Sequence, residues 1–346
     1  MKALSVALAG LVLCAGSVLA EYRAADLVVV PVTAALAGVN NSQWRTDVEI
    51  VNVDSVAIDV LIIFLPTGGG SNRVWFSNID NALGGRTEDS FGHIDAALKD
   101  IQPGEQILVP DIIKTVWGDN NRGALLVFAY EAGSFQQTDP PGGRPRRIVV
   151  TSRTYTLGKD ADNNDVTYGQ QIPGLPWYTY LDPHQKTKGY DHAILTGIRE
   201  DAAYRTNFGM VNVSDPLTTL EVELTLTLEN GTEVKDLGTT VSPLSHQQYD
   251  RVVTGFFAQP ADPVTTNARI TAAVRAWSSQ AENPTPGLMI YASRIDNRTN
   301  DPVYIEQAWT VEMPWDCVFN GNCASLSAQS TERGTPRRRP LSPPTP

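Results

Sequence analysis

Cysteine, histidine and long apolar runs are all scarce in this chain, and each scarcity removes a class of chemistry. Of three cysteines, Cys14 lies in the leader, so Cys317 and Cys323 alone remain in the body. That leaves no thiol for nucleophilic work and too few for a Cys-rich metal knuckle. The four histidines, His93, His184, His192 and His246, show neither H-E-x-x-H nor H-x-H spacing, so no familiar hydrolytic metal site is spelled out. No G-x-S-x-G elbow is present. The glycine run Gly68-Gly69-Gly70-Ser71-Asn72 lacks the lysine of a phosphate loop and reads as a hairpin tip. Beyond the first 20 residues no stretch reaches the ~18 apolar residues a membrane helix needs, and no transmembrane segment is expected. Long helical periodicity is missing as well.

Positive charge is also in deficit. Against 27 Lys and Arg stand 38 Asp and Glu, a formal net charge of −11. The body is more acidic still, because Arg337, Arg338 and Arg339 cluster in a Ser/Thr/Pro-rich tail, residues 324–346, that should be disordered. Such a body repels nucleic acid and anionic lipid, so neither is an expected partner.

What is present begins with an export signal. Lys2 supplies a positive start, Ala3 to Leu13 an apolar core, and Val18 and Ala20 the small residues of a cleavage site before Glu21. Residues 1–20 therefore read as a signal peptide, and the protein as extracellular, cell-surface or periplasmic. Lipid anchoring at Cys14 is the alternative. In that oxidising setting Cys317 and Cys323 read as one local disulfide.

The strongest feature is an internal repeat. Trp44-Arg45-Thr46-Asp47-Val48-Glu49-Ile50-Val51-Asn52-Val53 lies on Tyr204-Arg205-Thr206-Asn207-Phe208-Gly209-Met210-Val211-Asn212-Val213 at a constant offset of 160. Further matches follow in the same order. Ile101-Gln102-Pro103 answers Val241-Ser242-Pro243, Ile112-Ile113 answers Val252-Val253, and Ile148 to Arg153 answers Met289 to Arg294. Pro176-Trp177 and Pro314-Trp315 close the two copies. Each copy alternates with period two, as in Glu221-Val222-Glu223-Leu224-Thr225-Leu226, and Asn230-Gly231 marks a hairpin. The expectation is an all-β chain of two tandem Ig-like antiparallel β-sandwich domains from a duplication. The boundaries read as 21–178 for the first domain, 179–189 for a linker and 190–323 for the second. Single helical turns are expected at Asp111 to Trp117 and Asp250 to Phe257. The matched residues Trp44, Arg45, Asn52, Arg153, Tyr204, Arg205, Asn212 and Arg294 then carry structural roles, Trp44 and Tyr204 as core aromatics and the arginines paired with carboxylates or carbonyls.

An aromatic-Arg-Thr-Asp/Asn block ending in Val-Asn, followed by an alternating strand and later by Ser-Arg, occurs twice here. It resembles uncharacterised exported bacterial tandem β-sandwich (Ig-like) repeat proteins over most of residues 27–310. The resemblance implies fold and export, and no activity.

Two segments invite a functional reading. Trp75 and Phe76 sit in an insertion, 71–93, that the second copy shortens, and are candidate ligand-binding aromatics. Asp160, Asp162 and Asn164 place oxygens at alternate positions and are a candidate calcium site, although Asp165 stands where a glycine is expected and Gln171 where a glutamate is. A solvated Asx-rich turn is the default reading of those letters. No catalytic residues and no other cofactor are expected. The sequence thus reads as a secreted, non-catalytic structural, surface or adhesion protein whose partner is an extracellular protein or glycan surface. A glycan-binding module using exposed aromatics is the alternative, and a hydrolase with strand-borne carboxylates the second alternative.

Overall fold

A computed structural model describes residues 23–39, 42–68, 98–135, 143–159, 162–184, 191–259 and 265–309. The chain is all-β, with antiparallel sheets in a sandwich-like arrangement. The N-terminal half contains β1 (Leu27–Ala37), β2 (Gln43–Asn52), β3 (Ile58–Pro66), β4 (Gln106–Val109), a short helix α1 (Ile112–Trp117), β5 (Asn121–Glu131), β6 (Ile148–Lys159), β7 (Asp165–Pro173) and β8 (Leu175–Pro176). The C-terminal half contains β9 (His192–Glu200), β10 (Tyr204–Asn212), β11 (Thr218–Thr227), β12 (Glu233–Val241), β13 (His246–Tyr249), a single π-turn at Val252–Phe256, β14 (Thr265–Ser279), β15 (Leu288–Asp296), β16 (Pro302–Glu306) and β17 (Ala308–Trp309).

The pairings run alike in both halves. One layer is β4-β2-β6-β7 in the first and β13-β10-β15-β16 in the second. The other is β3-β5-β1-β8, answered by β11-β14-β9-β17, with β12 added at the edge. In the first half the layers join, because the end of β1 turns onto β2 at Leu36 and Ala37. Period two decides which side is buried. On β11, Leu220, Val222, Leu224 and Leu226 are buried, while Glu221, Glu223, Thr225 and Thr227 are partly exposed.

The repeated block sets this architecture residue by residue. The Thr46 and Thr206 hydroxyls donate to the Ala34 and Arg199 carbonyls (3.2 and 2.7 Å) and accept those residues' N–H groups (2.8 and 3.1 Å), tying β1 to β2 and β9 to β10. Asp47 and Asn207 each accept the N–H of a left-handed residue that opens the following turn: Asp111 at φ 46° before α1, Arg251 at φ 53° before the π-turn. Those two turns are where the sequence placed them. Buried Asn52 donates to the Val56 and Ile101 carbonyls, and buried Asn212 to those of Thr218, Val241 and Ser242. Each also accepts the N–H two residues on, from Asp54 or Ser214.

Two expectations need correction. Trp44 and Tyr204 are half-buried and belong to neither core; among the described residues the largest fully buried rings are Tyr291 and Phe208. Tyr204 instead lies under the Arg199 guanidinium, 4.1 Å from its centroid. Secondly, Arg153 and Arg294 are not equivalent. Asn52 faces Ile148 while Asn212 faces Leu288, so the ladder equates Arg153 with Ser293, one residue from the match by letters. A one-residue slip reverses faces. Arg153 points out and donates to Thr167 Oγ1 (2.7 Å), whereas Arg294 lies half-buried against the Gly197 carbonyl (3.5 Å).

The halves meet over a buried joint. The outer face of β13-β10-β15-β16 packs against the first half, so Val211, Val213, Leu244 and Met289 lie within the first half's core cluster. Val32 and Ile172 of the first half pack with Tyr291 and Tyr304 of the second. Gln170 donates to Ser293 Oγ (2.8 Å), and Leu181 pairs through its backbone with Leu288.

Candidate functional site

The same sheet face has opposite fates in the two halves. Gly209, Val211, Met289, Tyr291 and His246 are buried in the joint. The residues at equivalent ladder positions in the first half are Glu49, Val51, Val149, Thr151 and Gln106, none of them fully buried. That first-half face ends in a polar and aromatic patch, and it is the candidate site.

Tyr155 is its centre. β6 places the ring beside Arg45 on β2 and Gly169 on β7. The Arg153 guanidinium lies 4.9 Å from the ring centroid, and the Tyr155 hydroxyl donates to Asp47 Oδ1 at 3.4 Å. Burial pushes the Tyr155 hydroxyl pKa up, and the neighbouring Asp47 and Asp111 carboxylates add to it. Arg45 spans Asp111 (3.2 Å) and Asp119 (3.5 Å) and donates to the Trp44 carbonyl (2.9 Å). Burial raises the Asp111 pKa while Arg45 opposes it. Asp111 Oδ1 is buried and accepts no hydrogen bond. The patch therefore offers carboxylate acceptors, a guanidinium donor and an aromatic flank, a combination suited to a hydroxyl-rich ligand.

The partner of Arg205 differs from that of Arg45. Arg205 is buried and donates to the neutral amide oxygens of Asn297 (2.9 Å) and Asn300 (3.0 Å). Burial therefore pulls its pKa down. Its role is to fix the β15–β16 turn.

The Asx-rich loop is the tip of the β6–β7 hairpin, closed by the Lys159–Asp165 ion pair at 2.6 Å. Asp162 and Asn164 lie on it, with Asn163 left-handed at φ 64°; Asp160 lies outside the described residues. Trp75, Phe76, Cys14, Cys317 and Cys323, the leader and the tail also lie outside them. Among the described residues no group of three or more His, Cys, Asp or Glu side chains is placed to hold a metal ion, and no helix is long and apolar enough to cross a membrane. A cleft of about 450 Å³ opens between Gly133, Phe135, Gly143 and Arg144, with Arg144 paired to Glu131 at 2.6 Å.

Sequence reasoning did not find His246 or Tyr291. His246 Nε2 lies 2.7 Å from the Tyr291 oxygen, His246 Nδ1 lies 2.5 Å from Thr67 Oγ1, and the Tyr291 hydroxyl donates to Gln248 Oε1 at 3.0 Å. With the Tyr291 proton directed to Gln248, Nε2–H donates to Tyr291 and Nδ1 accepts from Thr67, which fixes a neutral ring. The sequence signal that points to this contact is Gly209, a glycine where the first copy has Glu49. A Cβ there would overlap the Tyr291 ring.

No protein-family model matches the chain, and no curated protein matches it. Among solved structures, the M60 catalytic domain with the CBM51-1 and CBM51-2 domains from Clostridium perfringens ZmpB aligns at 9% identity, with a TM-score of 0.16. That alignment covers 83% of this chain and 34% of that one, and at so low a score it carries no argument about fold or function.

Proposed function

We propose that this chain is an exported, non-catalytic surface or adhesion component, built as two Ig-like β-sandwich units from a tandem duplication and akin to exported bacterial repeat proteins of that kind. Its contact surface is the outer β4-β2-β6-β7 face around Tyr155. The observation that carries this reading is the divergence of one face between the halves. Glu49 and Thr151 stand where the second unit has Gly209 and Tyr291. One face welds the units together, and its counterpart is polar and open. The repeated block supports the non-catalytic reading, because its Thr, Asx and Asn side chains hold backbone.

A glycan ligand is favoured by Tyr155 with Asp47 and Arg153 beside it, since an aromatic flank and charged hydrogen-bonding groups suit sugar rings. The hydrolase reading would need two carboxylates facing across a cleft. On this face Asp47 accepts the Asp111 N–H at 2.8 Å and Asp111 is paired with Arg45.

The test is a binding screen of the mature chain against glycans and extracellular polymers. A ligand found there should bind at least about tenfold more weakly after Tyr155→Ala with Arg153→Ala, the loss of a hot-spot pair. Glu221→Ala with Arg275→Ala, on the second half's solvated sheet, should leave binding unchanged. Equal losses from the two pairs would remove the site, and turnover of the ligand would remove the non-catalytic reading.

A further inference from the structure

Among the described residues, His246 is the one histidine fully enclosed between the two halves. It projects from β13 into the joint, where its ring lies 5.9 Å from the Tyr291 ring at an interplanar angle of 16°. Its backbone bridges to Thr67, with Gly68 donating to the His246 carbonyl at 3.1 Å. Both ring nitrogens are already engaged, one by each half.

We propose that this joint is an acid-released latch: protonation of the His246 ring parts the two halves while the strands within each remain paired. The geometry supplies the reason. An imidazolium needs two acceptors and a counter-charge. Each ring nitrogen has only a hydroxyl oxygen beside it. Among the described residues, the charged groups around the joint are Arg122 on β5 and Asp250 after β13, paired with each other at 3.3 Å, and Glu306, which faces Tyr291 across β15–β16. The titratable neighbours are Tyr291 and, stacked behind it at 6.3 Å, Tyr304, both held neutral far above the usual phenol range by burial. The strands β1, β7 and β10 present Val32, Ile172, Gln170, Gly209 and Val211, none of them ionisable. Burial holds the His246 ring down to about 3, and the Arg122 charge pushes in the same direction. A histidine released to water titrates near 6.5. The parted state thus binds the proton more readily than the joined one. Between pH ~6.5 and about 3 each unit of acidification therefore raises the ratio of parted to joined molecules about tenfold. The strands within each half are held by their own backbone ladders.

The joint is distinct from the contact surface at Tyr155, since His246 meets Thr67 and Tyr291 while Tyr155 meets Arg153 and Asp47. Its test uses the mature chain in an acid titration. Radius of gyration from small-angle scattering, far-ultraviolet circular dichroism and histidine ring NMR are read together. The expected result is an increase in radius whose midpoint coincides with His246 protonation, with the strand signal retained. His246→Gln, neutral at every pH, should stay compact through the same range. A radius that is constant until the strand signal collapses overturns the latch, and so does His246→Gln expanding along the native curve. Should that variant fail to fold at neutral pH, the native titration decides: midpoints for expansion and ring protonation that differ by more than about one unit contradict the proposal.

Discussion

Replacing Asn212 by alanine will destabilise the folded chain by about 3–4 kcal/mol. The side chain is fully buried, and its amide donates to three carbonyls between 2.9 and 3.0 Å while its oxygen accepts the Ser214 N–H at 2.9 Å. Alanine leaves these backbone groups without their partner in a site that water cannot fill without rearrangement. Each orphaned buried group costs about 1–3 kcal/mol, although the losses are not additive. The Ser242 carbonyl keeps one partner, the Ser245 hydroxyl at 2.8 Å, which limits the total. Asn212→Asp is the sharper variant, because a carboxylate of nearly the same shape cannot donate to any carbonyl. It should be at least as destabilising as alanine at pH 7. Urea unfolding of the three proteins checks this. A loss below ~1 kcal/mol for both variants would mean that the repeated block does not hold the loops as described.

Gly209→Ala should cost about 3 kcal/mol, although alanine in a strand ordinarily gains on glycine. The added methyl would occupy the space of the Tyr291 ring, which is itself fully buried and bonded to His246 and Gln248. Neither element can retreat without opening the joint. Tyr291→Ala alone should cost about 3–5 kcal/mol as a large-to-small change in a core. The pair made together should fall short of the sum by at least about 1 kcal/mol, since removing the ring removes the clash. Strict additivity in that double-mutant cycle would show that the two residues do not meet.

Much of this fold was legible because its signals are local. Alternation on β11, the Asn230-Gly231 turn after it and the paired Ile-Ile and Val-Val letters of the helical turns each follow from neighbouring residues. The repeated block was legible as architecture because Thr, Asx and Asn at fixed spacing bond backbone only a strand away. The joint was not legible, since nothing in Tyr291-Ala292-Ser293 says that the outward face of β15 meets another half. The slip between Arg153 and Arg294 has a similar origin: matching letters Ser-Arg outweighed the register that places them on opposite faces. The candidate site was half visible. Arg45 and Arg153 were singled out, but Tyr155 and Asp47 joined them only once β2 and β6 were laid side by side.

The coupling of the halves is the central claim, and differential scanning calorimetry of the chain from Glu21 onward at pH 7 tests it most directly. With Val211, Val213, Leu244 and Met289 seated in the first half's core, the chain should melt in one endotherm whose calorimetric and van't Hoff enthalpies agree. Two resolved endotherms, only one of them shifted by Gly209→Ala, would show two independent domains and contradict the shared joint.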